Sequence, residues 1–218
     1  MVLSIKKKLT ILERFRLVVT ILTLENPSKQ QLVLENIINS VVLAFSADPI
    51  VRWMYPSPQE YLTNFPNFIK SFGGKALDYQ TVYYSDLYSG AAFWFPPQIE
   101  PDMDAVVEII QRTISTENLA KMLSLLEQMS LFHPSEPHWY LAILGVEPIQ
   151  QKKGYGSALM QQILNHCDRY NQPAYLESSN IANLSFYEKH GFEVTGIIQA
   201  GNSPTMFPMV RYPQNAKD

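Results

Sequence analysis

His138-Trp139-Tyr140-Leu141-Ala142-Ile143-Leu144-Gly145-Val146 and, four residues on, Gln151-Lys152-Lys153-Gly154-Tyr155-Gly156-Ser157-Ala158 are the stretches on which the fold turns. The first is nearly all apolar and is closed by Pro148, the pattern of a strand covered on both faces. From Tyr155 to Tyr170 the apolar residues Leu159, Met160, Ile163, Leu164 and Cys167 share one helical face. Ala174-Tyr175-Leu176-Glu177 then reads as a short strand, so strand, helix and strand make a βαβ unit with parallel strands.

Gly154 and Gly156 sit at the junction of the first strand and its helix. Two glycines two apart let the backbone turn tightly and present unpaired N–H groups at the positive end of a helix dipole, which is a cradle for a pyrophosphate. Lys152 and Lys153 add positive charge beside it. A glycine pair at a helix start is equally a plain structural turn, and Leu159 stands where a dinucleotide fingerprint has its third glycine. No Gly-Lys-Ser/Thr run follows, so NAD and ATP lose their main support.

Working outward, Asn183 to His190 reads as a short helix ended by Gly191, and Phe192 to Ile198 and Met206 to Arg211 as strands. Upstream, Leu17 to Leu24 has the crowded Val, Thr, Ile and Leu of a buried first strand, behind a loosely ordered extension over residues 1–15. Lys29 to Phe45 carries an amphipathic helical pattern; Tyr61 to Phe72 carries a second, with a break expected at Pro66. Thr81 to Tyr84 and Gly90 to Phe95 read as antiparallel strands. Met103 to Leu131 is helical, with a restart near Ser115-Thr116-Glu117. The expectation is an α/β fold in a single domain over residues 16–218, its half 16–135 carrying the helical insert.

Composition narrows the function. With 17 Lys+Arg against 20 Asp+Glu the net charge is −3, and no basic cluster extends beyond Lys6-Lys7-Lys8, so a nucleic-acid partner is not expected. A 46% hydrophobic chain with 17% charged residues is not a disordered one. The lone Cys167 excludes a disulfide framework and a cysteine zinc cluster, and points to a reducing, cytoplasmic setting. Leu9 to Leu24 is interrupted by Glu13, Arg14 and Arg16, too short and too charged to span a bilayer. His133, His166 and His190 show no metal-ligand spacing, so no metal is expected.

In chain order, the strand ending Leu144-Gly145-Val146, the loop Gln151-x-x-Gly154-x-Gly156, the segment Leu176-Glu177-Ser178-Ser179-Asn180, and Asn183-Leu184-Ser185-Phe186-Tyr187-Glu188-Lys189-His190-Gly191-Phe192 resemble the GNAT superfamily of acetyl-CoA-dependent N-acetyltransferases over roughly residues 136–212. Ala47-Asp48-Pro49 with Arg52-Trp53-Met54-Tyr55-Pro56 is similar to the branch that includes puromycin N-acetyltransferase. The resemblance implies a mixed central sheet with helices on both faces and a V-shaped opening between two parallel strands. It implies that residues 136–212 bind acetyl-CoA, through backbone amides of Gln151, Lys152, Lys153, Gly154, Tyr155, Gly156 and Ser157, main-chain groups of Leu144, Gly145 and Val146 that pair with the pantetheine arm, and the Asn183 side chain. Tyr187 matches the tyrosine near the cofactor sulfur.

Acetyl transfer to an amine requires a neutral amine, a stabilised oxyanion and a proton for the departing thiolate. A phenol with a pKa of about 10 stays protonated at neutral pH, so Tyr187 suits the last task. By the family pattern an N–H near Val146 is the oxyanion donor, with a bend or bulge expected at Gly145. For the base, Glu177 ranks first because it ends a parallel strand, where ligands bind in open α/β sheets; Glu147 and His138 follow.

Thirteen of the 26 aromatics lie between Trp53 and Phe95, which makes this the candidate acceptor side. Phe65, Phe68, Phe72, Phe93 and Phe95 are expected to fill core, leaving Tyr55, Tyr83, Tyr84 and Trp94 as pocket candidates. The insert 103–131 either caps that pocket or buries its apolar side in a homodimer. The acceptor, a small-molecule amine or a peptide, is left open. The competing readings are a non-catalytic acyl-CoA-binding sensor and a nucleotide-binding interaction protein, the latter weakened by the missing third glycine.

Overall fold

The computed structural model describes residues 19–22 and 27–214; the extension 1–15 and half of the expected strand Leu17–Leu24 lie outside them. In chain order the elements are β1 (Val19–Ile21), α1 (Pro27–Ala44), α2 (Pro49–Met54), α3 (Pro58–Asp78), β2 (Val82–Ser85), β3 (Gly90–Phe95), α4 (Met103–Thr113), α5 (Thr116–Phe132), β4 (Trp139–Val146), α6 (Tyr155–Tyr170), β5 (Ala174–Ser178), α7 (Leu184–Glu188), β6 (Glu193–Val194) and β7 (Phe207–Arg211). The strands form one mixed sheet in the order β1-β2-β3-β4-β5-β7-β6. Helices cover both faces, as the GNAT resemblance implied.

The two cores follow from strand alternation. Phe93 and Phe95 enter the core covered by α1 to α5, whereas Ala92 and Trp94, on the other face, pack under α6 with Leu159, Met160, Ile163 and Leu164. In β4, Trp139 and Leu141 face α6 and Tyr140 faces the opposite core, but Ala142 and Ile143 both face the Tyr140 side. The register against β3 slips at the same place, with Phe93 opposite Ile143 and Trp94 opposite Leu141. The bulge is therefore at Ala142–Ile143 and not at Gly145. Gly145 is required for another reason: a Cβ there would stand 3.0 Å from the Ala44 Cβ of α1. The glycine lets α1 lie close to the strand.

Three sequence expectations change. The part of the first strand that is described is a short edge strand paired only with β2, with Ile21 43% exposed, so it is not buried. α3 runs unbroken through Pro66, started by a capping box between Ser57 and Glu60. The carbonyl that loses its partner belongs to Leu62, on the solvent face at 62% exposure, where water can satisfy it. The strand expected from Phe192 to Ile198 is only Glu193–Val194, followed by an isolated bridge between Ile198 and Met206. The restart between α4 and α5 falls where the sequence placed it, with Ser115 at the N-cap of α5.

β4 and β5 are parallel and pair only at Trp139 with Ala174 and Tyr140 with Tyr175. Beyond Tyr140, β4 continues for six residues while β5 turns to β7, and a V opens between them. That opening sets the site.

Candidate active site

A cavity of about 1090 Å³ fills the V. Its floor is β4 from Tyr140 to Val146 and the chain from Leu176 to Asn180. After Tyr140 no described strand pairs with the β5-facing edge of β4, so that edge offers main-chain donors and acceptors to whatever lies in the V. The Val146 carbonyl already accepts from Gln151 Nε2 at 3.1 Å, so the Gln151 side chain braces the strand end.

One mouth of the cavity is the loop before α6. Lys152 (φ 62°) and Gly154 (φ 90°) both take left-handed backbone, and Gly154 is the N-cap residue of α6 with no side chain to cap the helix. The first N–H groups of a sixteen-residue helix thus open onto the cavity, lined here by Gln151, Lys152, Gly154, Tyr155, Gly156 and Ser157. Lys153 does not line it; its Nζ donates to Gln150 Oε1 at 2.9 Å on the surface. Gly156 has a packing role as well, since a Cβ there would come within 3.1 Å of Phe186 on α7.

α7 carries Asn183 at its N-cap and Tyr187 one turn in, both on the cavity wall. Asn183 makes no side-chain cap hydrogen bond. Among the described residues, the Tyr187 hydroxyl has no hydrogen-bonding partner, and its ring is held edge-on by Phe186 and Phe192. Burial, then the negative charge of Asp48, pushes the Tyr187 phenol above its ordinary range, so it keeps its proton. Asp48 joins the two halves of the wall: it caps α2 through Val51 N–H and accepts from Ser179 Oγ after β5. Burial raises its carboxyl against those hydrogen bonds.

Glu177 also lines the cavity, its side chain only 2% exposed. Around it stand Tyr140, Tyr175 and His133, the last with Nε2 3.4 Å from Glu177 Oε1. The two phenols are raised first by burial and then by the Glu177 charge, so neither gives up its proton near neutrality. Of the other two base candidates, neither Glu147 nor His138 borders the cavity, though His138 is hydrogen-bonded to His133. His133 and Asp48 are the residues that reading by segment did not assign to the site. Neither has a local signal, because each meets its partner across a long stretch of chain.

The far wall is apolar: Phe65, Phe68, Ile69 and Phe72 from α3 face Met122, Leu126 and Met129 from α5. The pocket aromatics named from the sequence are elsewhere. Tyr55 is buried against Thr113, with 3.0 Å between hydroxyls; Tyr83 and Trp94 pack on the α6 side, and Tyr84 stacks on Tyr88. Phe65 and Phe72 belong to the core as expected, with Phe68 packed against it, and the same three rings also wall the space. The insert's second helix caps it.

Residues 90–192 match the model of the acetyltransferase (GNAT) family. Over that stretch, 103 of the 218 residues, the chain is similar to the family. A 54-residue stretch, 25% of this chain, is 46% identical to an uncharacterised N-acetyltransferase of Schizosaccharomyces pombe, of whose length it spans 22%. Among solved structures, a histone acetyltransferase HPA2 and related acetyltransferase from Corynebacterium glutamicum shares the fold with a TM-score of 0.62 at 21% identity, over 93% of this chain and 99% of that one. Arylalkylamine N-acetyltransferase 2 from Aedes aegypti does so with a TM-score of 0.60 at 12% identity, over 91% of this chain and all of that one. The matched region starts at β3 and ends just beyond α7, taking in the loop, the V, Glu177 and Tyr187. Among the described residues no helix is long and apolar enough to cross a membrane, and no group of three or more His, Cys, Asp or Glu could hold a metal ion.

Proposed function

We propose that the protein transfers an acetyl group from acetyl-CoA directly to an amine borne on an apolar body. The carrying observation is that one cavity has a helix N-terminus without a side-chain cap at one mouth, a free main-chain edge along its floor, and a carboxylate and a phenol facing the same space. These features fit acetyl-CoA: main-chain amides of Gly154 to Ser157 would hold its pyrophosphate, aided by the charge of Lys152, and the β4 edge from Leu144 to Val146 would align the pantetheine arm. When bound, acetyl-CoA supplies an activated thioester.

Glu177 takes a proton from the ammonium form of the acceptor, directly or through one water, leaving the amine lone pair free to attack. Main-chain N–H groups of β4 stabilise the oxyanion. Tyr187, kept protonated by its burial, gives its proton to the departing sulfur and regains one from the nitrogen of the collapsing intermediate, which becomes the neutral amide. No covalent enzyme intermediate is needed. Cys167 is packed under the other face of the sheet, where burial pushes its thiol up to about 12, far from a nucleophilic thiolate. The phenylalanines of α3 and the methionines and leucine of α5 favour an acceptor whose amine reaches Glu177 while an apolar or aromatic portion lies against them.

The test is thiol release from acetyl-CoA across an amine panel, with the acetylated product identified by mass. Turnover is expected for amines with apolar bodies. Binding of acetyl-CoA with no turnover for any amine would favour the sensor reading.

A further inference from the structure

Glu177 is the inner end of a line of side chains that runs from the cavity toward the surface. Its Oε1 lies 3.4 Å from His133 Nε2; His133 Nδ1 lies 3.1 Å from His138 Nε2; His138 Nδ1 lies 2.8 Å from the main-chain oxygen of Glu136. The protons along this line are fixed by hydrogen-bond logic. A carbonyl oxygen only accepts, so His138 Nδ1 carries hydrogen. Burial lowers the His138 pKa, so the ring is neutral and its Nε2 is bare. That bare nitrogen must accept from His133 Nδ1–H, so in the neutral form of His133 the bare Nε2 and Glu177 Oε1 are two acceptors 3.4 Å apart with no hydrogen bond between them. Two acceptors so placed need one proton between them.

We propose that Glu177 and His133 form a proton-holding pair, with His138 and the Glu136 carbonyl locking the His133 tautomer, and that this pair receives the proton lost by the acceptor amine. His133 is a positioning residue contributed by the helical insert, as the C-cap residue of α5. The step balances: the ammonium gives a proton to the Glu177 carboxylate and becomes the amine, and the carboxylic acid gives that proton to His133 Nε2, making an imidazolium beside a regenerated carboxylate. His133, 24% exposed where Glu177 is 2%, then returns the proton to water. The titratable groups facing the pair are Tyr140 from β4, Tyr175 from β5, and His138 and Glu136 from the segment before β4. Both phenols hold their protons, so they frame the pair without competing for its proton.

The pair's existence is independent of the acetyltransfer reading; its use rests on it. Long-range proton–nitrogen spectra of the protein labelled with ¹⁵N-histidine test the first. Expected are a neutral Nδ1–H tautomer for His138 and hydrogen on Nδ1 of His133, with the His133 Nε2 resonance moving in Glu177→Gln, where the facing carboxylate is removed. Kinetics test the second: His133→Ala should lower kcat roughly a hundredfold with a much smaller change in the amine KM, lose the acidic limb of the pH profile, and recover in part with added imidazole. If that variant does not fold, His138→Phe gives the same test of the tautomer lock through the His133 nitrogen shifts. His133 nitrogen resonances that are the same with and without the Glu177 carboxylate overturn the pair. An intact pair with unchanged kcat and pH profile in His133→Ala overturns its catalytic use. An intact pair in a protein that acetylates no amine overturns the acetyltransfer reading while leaving the pair standing.

Discussion

The two walls of the cavity are built in opposite ways. The wall proposed for acetyl-CoA is nearly continuous in sequence: Leu144 to Ser157 supplies the free strand edge, the left-handed turn and the helix start. The acceptor wall is assembled from α3, α5, β4 and the end of β5, with Glu177 set against His133 from the insert. A phosphate cradle needs main-chain N–H groups, which one strand-loop-helix junction provides by itself. A shaped apolar pocket with a base needs side chains from several elements, and only the tertiary fold brings them together. The proposed donor side is thus local and stereotyped, and the acceptor side is where this chain can differ from its relatives.

Substitutions on the two walls should separate along this line. The largest effect is expected for Glu177→Gln, with kcat/KM for amines falling by roughly 10²–10⁴ while acetyl-CoA affinity by calorimetry stays within a few fold. Tyr187→Phe comes next, lowering kcat about 10–100-fold with little change in either KM, because the phenol acts on the leaving sulfur. On the donor side, Gly154→Ala places a Cβ at φ 90°, a strain of roughly 1–2 kcal/mol; if it is felt at the cradle, acetyl-CoA affinity drops about 5–30-fold with amine KM unaffected. Met129→Ala should be milder, costing a few fold in kcat/KM for amines with bulky apolar bodies and almost nothing for small hydrophilic ones. A variant on one wall that mainly moves the other wall's parameter would break the comparison.

The smallest expected effect is on stability. His138 is held neutral by burial, its folded pKa below the ordinary value near 6.5. Between the two values the unfolded chain binds more protons, so stability rises with pH there; the contribution is fully present above about 6.5 and is lost as pH falls below it. Urea midpoints from pH 5 to 7.5 should therefore rise for the wild type and flatten for His138→Gln. Parallel curves for the two proteins would show that the ring is not held neutral.

How much was legible in advance follows the same division. The βαβ unit, Gly154 in its turn and the helix restart at Ser115 could be read because each depends on neighbours within one or two turns of chain. The bulge falls at Ala142–Ile143 and not at Gly145; a glycine in a strand signals either a bulge or a close approach, and α1, which decides between them, is about a hundred residues away. Pro66 signals a break in the sequence, and α3 runs through it because the Leu62 carbonyl lies on the uncovered face, which the sequence around Pro66 does not reveal. Phe65 and Phe72 are core as the sequence implies yet also wall the cavity with Phe68, while Tyr55 and Trp94 do not line it: aromatic character says a residue is buried, not which surface it meets. His133 lies 44 positions before Glu177, and nothing at either position names the other.

The most direct measurement follows thiol release and acetylated product together, with purified protein, acetyl-CoA and amines graded by the size of their apolar portion. One thiol released per amine acetylated, with kcat/KM rising as the apolar portion grows to fill the α3–α5 wall, is the predicted result. Acetyl-CoA that fails to bind, or that binds without losing its acetyl group to any of these amines, would contradict the account.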